Sequence, residues 1–354
     1  MEKRNPVVHN ETPLTSDDLT LLLFGAAAFQ QLRAGCELGL FDLLHAEPGL
    51  TADAIGHRLG LAERACDTLL LGTTSLRLTT VDGGGYRNAG VLEDLFAAGD
   101  WERFGHVVGF EQYVVYAGQA DYTESLRANT NVGLRRVPGQ GEGLYRRLAE
   151  DPFLSGVFYR YMRSWSELAN RSLVERVDFS GVRRVLDVGG GDAVNALALV
   201  EAYPHLEVTV LDLPENLDVP RRQIAEAGLT GKVHVHAADM HTDPFPGGHD
   251  LVLFSHQLVI WTPEENVALL RKAHAALPPA GQVVIFSSMS ADDGTGPVMA
   301  ALDSVYFAAI PAEGGMIYPS GRYLGWAKEA GFDQAEFIDC SAWTPHGIVT
   351  ATRA

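Results

Sequence analysis

From Asp17 to about Leu173 the apolar positions recur three and four residues apart, the spacing of one face of a helix. The run LLLFGAAAFQQLRAGCELGLFDLL is rich in Ala and Leu, which favour helix. Leu50 to Asn88 predicts two short helices, a third helix, and a hairpin turning at Asp82-Gly83-Gly84-Gly85. Thr51 opens the pattern T-x-x-A, so only its hydroxyl can cap the helix that follows. That order of elements is a winged helix-turn-helix. Residues 1–16 are polar and lack apolar periodicity, which predicts a flexible or partner-wrapped tail.

After Val182 short apolar runs alternate with helix-like segments. VRRVLDVGGG, LEVTVLDLP, KVHVHAAD, HDLVLFSH and GQVVIFSS predict strands; NALALVEAY, ENLDVPRRQIAEAG, PEENVALLRKAHAAL and SGRYLGWAKEAGF predict the helices between and after them. Such alternation predicts an α/β fold, a doubly wound parallel sheet with helices on both faces. AEFIDCSAW and GIVTATR predict a hairpin at the sheet edge. The domain reading is therefore a tail over 1–16, a helical and winged-helix domain over 17–173, and the α/β domain over 174–354.

Composition narrows the function. Across 354 residues, 46% are apolar and 20% charged, a balance that supports a folded core. Asp and Glu outnumber Lys and Arg by 45 to 27, giving a net charge of -18, a field that repels phosphate backbones and anionic membranes. The winged helix is therefore read as a dimerisation or substrate-covering device rather than a DNA reader, with no nucleic acid and no membrane as partner. The longest apolar run, Leu21 to Phe29, is well short of the ~18 residues that cross a bilayer. The polar start resembles no secretion signal, so a cytoplasmic protein is expected. Cys36, Cys66 and Cys340 are far apart and odd in number, which predicts reduced thiols.

The chemistry gathers at Asp187-Val188-Gly189-Gly190-Gly191-Asp192, where a strand ends and a helix opens. Glycines there permit positive φ and close approach of a ligand to the backbone. Asp212 follows Gly191 by 21 residues, at the end of the next strand, where a carboxylate can accept both hydroxyls of a ribose. A dinucleotide fingerprint needs a third glycine, and Val194 stands in its place. An acidic Asp187 leading the turn suits a ligand with a positive centre, such as a sulfonium.

DVGGGD, then Asp212-Leu213-Pro214 and Ala238-Asp239-Met240, with FYRYMRSWS, LVIWTPEEN and PPAGQVVIF followed by DDG, resembles the small-molecule O-methyltransferases of the plant caffeate type and their bacterial natural-product relatives. The resemblance spans nearly the whole chain. It implies a Rossmann-like methyltransferase domain behind an N-terminal dimerisation domain, a homodimer, and S-adenosyl-L-methionine as methyl donor, leaving S-adenosyl-L-homocysteine. It further implies that Gly189 and Gly191 face the donor, Asp212 holds its ribose, Asp239 and Met240 border its adenine, Ser166 lies near its carboxylate, and Asp187, Leu213 and Ser255 complete its site.

In that family the base is a His-Asp pair just ahead of the Trp, steadied by two glutamates. Aligned on Trp261, the pair falls on Val259 and Ile260, and the glutamates on Ser287 and Ile317. The family base is thus absent. His256, three residues before Val259, is the candidate in its place if a helix has begun there. Asp303 is expected to orient His256 or a substrate amine. Methylation of a small phenolic metabolite on oxygen is the first expectation and on the adjoining ring carbon, or on a keto-acid enolate, the second. A third is a relative that keeps the donor site as a hydroxylase or pericyclase. His234, His236 and His241 are assigned to the strand leading to the adenine, with no metal. Phe110, Tyr113, Tyr116, Phe158, Met162, Trp165, Trp261, Tyr306 and Met316 are expected around a planar substrate. Arg135 and Arg136 read as a solvated loop or a lid that meets a carboxylate.

Overall fold

The computed structural model describes residues 13–311, 314–340 and 344–354. Its contacts divide between Gln112 and Tyr113 into two compact units.

In the first unit Thr15 starts the helix Ser16–Leu23 with a capping box, its hydroxyl accepting from the Asp18 amide while Asp18 accepts from the Thr15 amide. Helices Gly25–Glu37, Leu40–Ala46, Ala52–Leu59 and Glu63–Ser75 follow. The Thr51 hydroxyl caps the third of these from 3.4 Å, as its position predicts. Next come the hairpin β1 (Thr79–Asp82) and β2 (Gly85–Asn88), then helices Gly90–Ala98 and Trp101–Phe110. Leu40, Phe41, Leu44, Ile55, Leu69 and Leu70 form the core. Two helices precede the hairpin, where Leu50 to Asn88 predicts three. No proline or cap interrupts Glu63–Ser75, and Gly72 inside it lies so close to Gln31 that an added Cβ would stand 2.2 Å from that side chain.

The second unit carries seven strands: β3 (Arg184–Val188), β4 (Glu207–Asp212), β5 (Val233–Ala237), β6 (Leu251–Ser255), β7 (Gln282–Ser288), β8 (Asp333–Asp339) and β9 (His346–Thr352). Their order is β5-β4-β3-β6-β7-β9-β8, parallel except that β9 runs against β7 and β8. Successive side chains serve opposite faces, as a period of two requires. Leu186, Val252 and Phe254 join one core cluster, and Val185, Leu253 and Val284 the other. Both faces are thus buried, and the predicted strands and edge hairpin are present. Residues 341–343 of the predicted AEFIDCSAW strand lie outside the described residues.

The helix Pro152–Arg176, capped by the Asp151 carboxylate, packs against the helix Val194–Ala202. Residues 113–173, placed by their helical texture with the N-terminal domain, therefore make their contacts within the α/β unit. Periodicity reports which residues form helices and is silent about the layer they cover. Strand order reverses between β3 and β6, which opens a crevice at the carboxyl ends of the strands.

Candidate functional site

A cleft of ≈ 470 Å³ occupies that crevice. At its floor the chain leaves β3 through Gly189 (φ 68°) and Gly191 (φ 56°), conformations that favour glycine. The Gly189 amide donates to Leu211 O at 2.7 Å and its carbonyl accepts from Gln257 Nε2 at 2.9 Å. A Cβ on Gly189 would collide with Gln257 at 2.4 Å, whereas one on Gly191 would meet nothing within 4 Å. The turn is held from behind and open in front.

Asp212 ends β4 beside this turn. Its Oδ2 accepts from the Gly191 amide at 3.0 Å, and its Oδ1 from the Leu213 amide at 2.8 Å and Asn216 Nδ2 at 2.9 Å. Farther along, Asp239 Oδ1 accepts from the His241 amide at 2.8 Å, which keeps its carboxyl below the usual range. Lys272 Nζ donates to Met240 O. Trp261 meets His241 edge to face, centroids 4.4 Å apart, and lines the same cleft as Asp239 and Met240 and as the expected substrate residues Phe158 and Met162. Ser255 Oγ accepts from Asn195 Nδ2 at 2.9 Å. Asn195 Oδ1 and Trp261 Nε1 are buried without partners among the described residues.

Of the residues expected to hold a donor, Gly189, Gly191, Asp212, Leu213, Asp239, Met240, Ser255 and Ser166 all line the cleft. Asp187 is placed elsewhere. Its carboxyl is fully buried beneath the turn, 2.6 Å from where a Gly190 Cβ would stand, and both oxygens lack partners among the described residues. Desolvation first, then Asp212 and Asp192, push its pKa up to about 7.

Among the expected substrate residues, Met162 and Phe158 line the cleft, beside Tyr145 and Tyr159. Phe110 is buried in the first unit. Trp165 and Tyr306 are buried away from the cleft wall, and Tyr113, Tyr116 and Met316, 36–45% exposed, do not line it either. Asp303 is half-buried on the helix Val298–Ala309, does not line the cleft and makes no bond to His256; burial pushes its pKa up to about 7. Arg135 and Arg136 do meet a carboxylate, the protein's own. Each guanidinium grips the buried Asp121 in a two-bond fork of 2.7–2.8 Å, holding that acid well below the usual range.

His256 does line the cleft, but not from a helix. It follows the last residue of β6 at φ 57°, and the helix starts only at Pro263, where Thr262 and Glu265 form a capping box. Left-handed backbone is uncommon outside glycine, though His tolerates it better than branched residues. The His256 amide donates to Phe286 O at 2.8 Å. Its Nδ1 lies 3.2 Å from His346 Nε2, and its Nε2 is buried, without a partner among the described residues. Burial lowers its pKa to about 4, so at neutral pH the imidazole is uncharged and can accept a proton. At the family's acid-base positions Val259 and Ile317 are buried apolar side chains and Ser287 is a buried hydroxyl. Asn195, Gln257 and His346 escape sequence reasoning, since none belongs to a motif and each gains its role from a neighbour on another element.

The model of an O-methyltransferase domain matches residues 122–333, and that of an O-methyltransferase dimerisation domain residues 20–93. The chain is 57% identical to an L-tyrosine C(3)-methyltransferase of Streptomyces lavendulae, covering 97% of this chain and 94% of that protein. It is 34% identical to a 3-hydroxy-5-methyl-1-naphthoate 3-O-methyltransferase of Streptomyces sahachiroi, covering 95% of each. Among solved structures, the S-adenosylmethionine-dependent methyltransferase SibL in its apo form aligns with a TM-score of 0.89 at 50% identity, over 95% of this chain and 98% of that one.

Proposed function

The chain belongs to the S-adenosylmethionine-dependent O-methyltransferase family, and from that premise we propose that it methylates the ring carbon beside the hydroxyl of a small phenol of the L-tyrosine kind. The observation that carries this reading is the 57% identity, along almost the full chain, with an enzyme named for carbon methylation of L-tyrosine. The relative named for oxygen methylation of a naphthoate stands at 34%. Oxygen, the first expectation from sequence, becomes the second reading.

The cleft suits the donor. Gly191 leaves room for a close approach to the backbone, the Asp212 carboxylate is fixed by three donors, and Asn195 Oδ1 is a buried acceptor still without a partner among the described residues. Gly189, Gly191, Asp212, Leu213, Asp239, Met240, Ser255 and Ser166 would hold it, with Trp261 in the same cleft. When bound, S-adenosylmethionine supplies an electrophilic methyl on a positively charged sulfur. Phe158 and Met162 offer apolar surface that excludes water and presents a flat ring.

His256 Nε2 takes the hydroxyl proton. An imidazole of pKa about 4 does not deprotonate a phenol of pKa near 10 beforehand, because about six units correspond to ~8 kcal/mol. It accepts the proton as the ring carbon gains its methyl, when positive charge develops on the substrate and the hydroxyl becomes strongly acidic. The ring oxygen is then a carbonyl. Aromaticity returns when the proton on the methylated carbon leaves to solvent and His256 gives its own back to the oxygen. The match to the dimerisation domain supports a homodimer.

The test is transfer of a labelled methyl group to L-tyrosine and to a hydroxynaphthoic acid, with the product position fixed by NMR. A methyl on the carbon beside the tyrosine hydroxyl is expected; a methyl on oxygen, or S-adenosylmethionine bound without turnover, overturns the proposal.

A further inference from the structure

His256 and His346 come from distant points of the chain and meet across one strand. In the order β6-β7-β9, His256 follows the end of β6, and antiparallel β9 begins with His346 at the same carboxyl edge, opposite Ser288 of β7. Both rings lie against Phe286 of the strand between them, with centroids 5.5 and 4.9 Å away. Trp165 covers His346 from the helix Pro152–Arg176 at 5.6 Å, and His346 is 4% exposed. The two rings stand nearly perpendicular, 89° apart, with His256 Nδ1 and His346 Nε2 separated by 3.2 Å.

A gap of that length holds one proton, and where it sits decides what His256 can do. If His346 Nε2 carries the proton, a neutral His256 accepts at Nδ1 and must bear its own proton on Nε2, which leaves it no free nitrogen for a substrate proton. If His256 Nδ1 carries it, His256 Nε2 is bare and His346 bears its own proton on Nδ1; both of these outer nitrogens are buried without partners among the described residues, so the choice rests on what each arrangement allows His256 to do. Only this second arrangement survives proton uptake, because the cationic ring then donates from Nδ1 to a neutral acceptor.

We propose that His346 is a positioning residue for methyl transfer, its Nε2 accepting the Nδ1 proton of His256 so that His256 offers Nε2 to the substrate hydroxyl. The inference rests on the reading of His256 as the proton acceptor. It gives the protein a two-histidine device where the resemblance implies a histidine steadied by glutamates.

The experiment compares His346→Leu, which removes the acceptor while keeping bulk, with His346→Gln, whose Oε1 can accept near the position of Nε2. With S-adenosylmethionine and L-tyrosine, the Leu variant is expected to lose ~10- to 100-fold in kcat, the worth of a hydrogen bond to a group that becomes charged, with KM for both substrates unchanged. The Gln variant should recover most of that loss. Equal activity in wild type and Leu variant, or equal losses in Leu and Gln that follow a shared fall in Tm, overturns the proposal. Nitrogen-15 NMR of the imidazoles in the S-adenosylhomocysteine complex separates this result from the substrate reading. A proton on His256 Nδ1 in wild type and the Gln variant, displaced in the Leu variant, supports the dyad even if L-tyrosine proves not to be the substrate. A wild-type His256 protonated only on Nε2 sinks the dyad whatever the substrate.

Discussion

Asp212 and His346 mark the two ends of what single residues disclose. Asp212 is legible because strand, turn and strand fix its distance from Gly191, and the structure puts its carboxylate on the Gly191 amide at 3.0 Å. Asp212→Ala is expected to weaken S-adenosylmethionine binding by ~10- to 100-fold in calorimetry, the range for a hydrogen bond to a charged group, and to lower the Tm as well, because the Gly191 and Leu213 amides and Asn216 lose their acceptor. His346 is illegible because its partner lies 90 residues away on a strand with another between them. Asp187 is legible in position and misread in direction: the motif places it before the glycines, but only the fold shows it beneath them. Its pKa, raised from 3.8 to about 7, makes the folded state hold a proton that the unfolded chain releases. The stability this confers is fully present below pH 3.8 and is lost as pH rises through 7, up to ~4 kcal/mol at about 1.4 kcal/mol per unit. Asp187→Asn keeps the neutral form at every pH, so the Tm of the variant relative to wild type, without S-adenosylmethionine, should rise between pH 5 and pH 8. A constant difference would mean that Asp187 does not titrate there.

Elements were readable where one physical rule governs them. The strands β3, β4, β6 and β7 are apolar on both faces and stand out from any helical context, and Asp82 to Gly85 can hardly be anything but a turn. What a residue meets across the fold is not readable in this way. The helix PEENVALLRKAHAAL does start at Pro263, where Thr262 and Glu265 form a capping box with proline behind the cap, so the condition attached to His256, that a helix has already begun there, is not met. The segment Val132–Arg136 shows the same limit. Two adjacent arginines look solvated until Asp121, 14 and 15 residues earlier, closes on both. That acid ties the segment down together with the tight approach of Gly133 to Gly118 O and Ala309 O, where a Cβ would stand at 2.4 and 2.8 Å. Asp121→Ala should therefore free the segment locally, and tryptic cleavage after Arg135 and Arg136 should run several-fold faster than in wild type while the rest of the chain resists as before. Unchanged cleavage would assign the holding to the glycines alone.

For the whole molecule the governing quantity is the free energy of pairing two acidic chains. Among the described residues the helix Ser16–Leu23 has no buried member, and Leu19, Leu21, Leu22, Leu23 and Phe24 are each at least half exposed. Eight residues are too few for a stable isolated helix, which in water needs ~12–15. The dimerisation-domain match begins at residue 20, inside this helix, so a second copy is the cover its apolar side chains call for. Replacing Leu22 and Leu23 with Asp removes four leucines from a symmetric dimer; at ~1.5 kcal/mol for each buried side chain the loss is ~6 kcal/mol, more than a thousand-fold in the dissociation constant. Sedimentation should then find monomer where the wild type is dimer. Charge adds a second signature. Each protomer carries -18, so the dimer carries twice that, and the repulsion between copies is screened as salt shortens the Debye length to ~8 Å near physiological ionic strength. Wild-type association should accordingly tighten from low to moderate salt. An interface built on ion pairs would weaken over the same range, and that outcome would move the contact away from the leucine face.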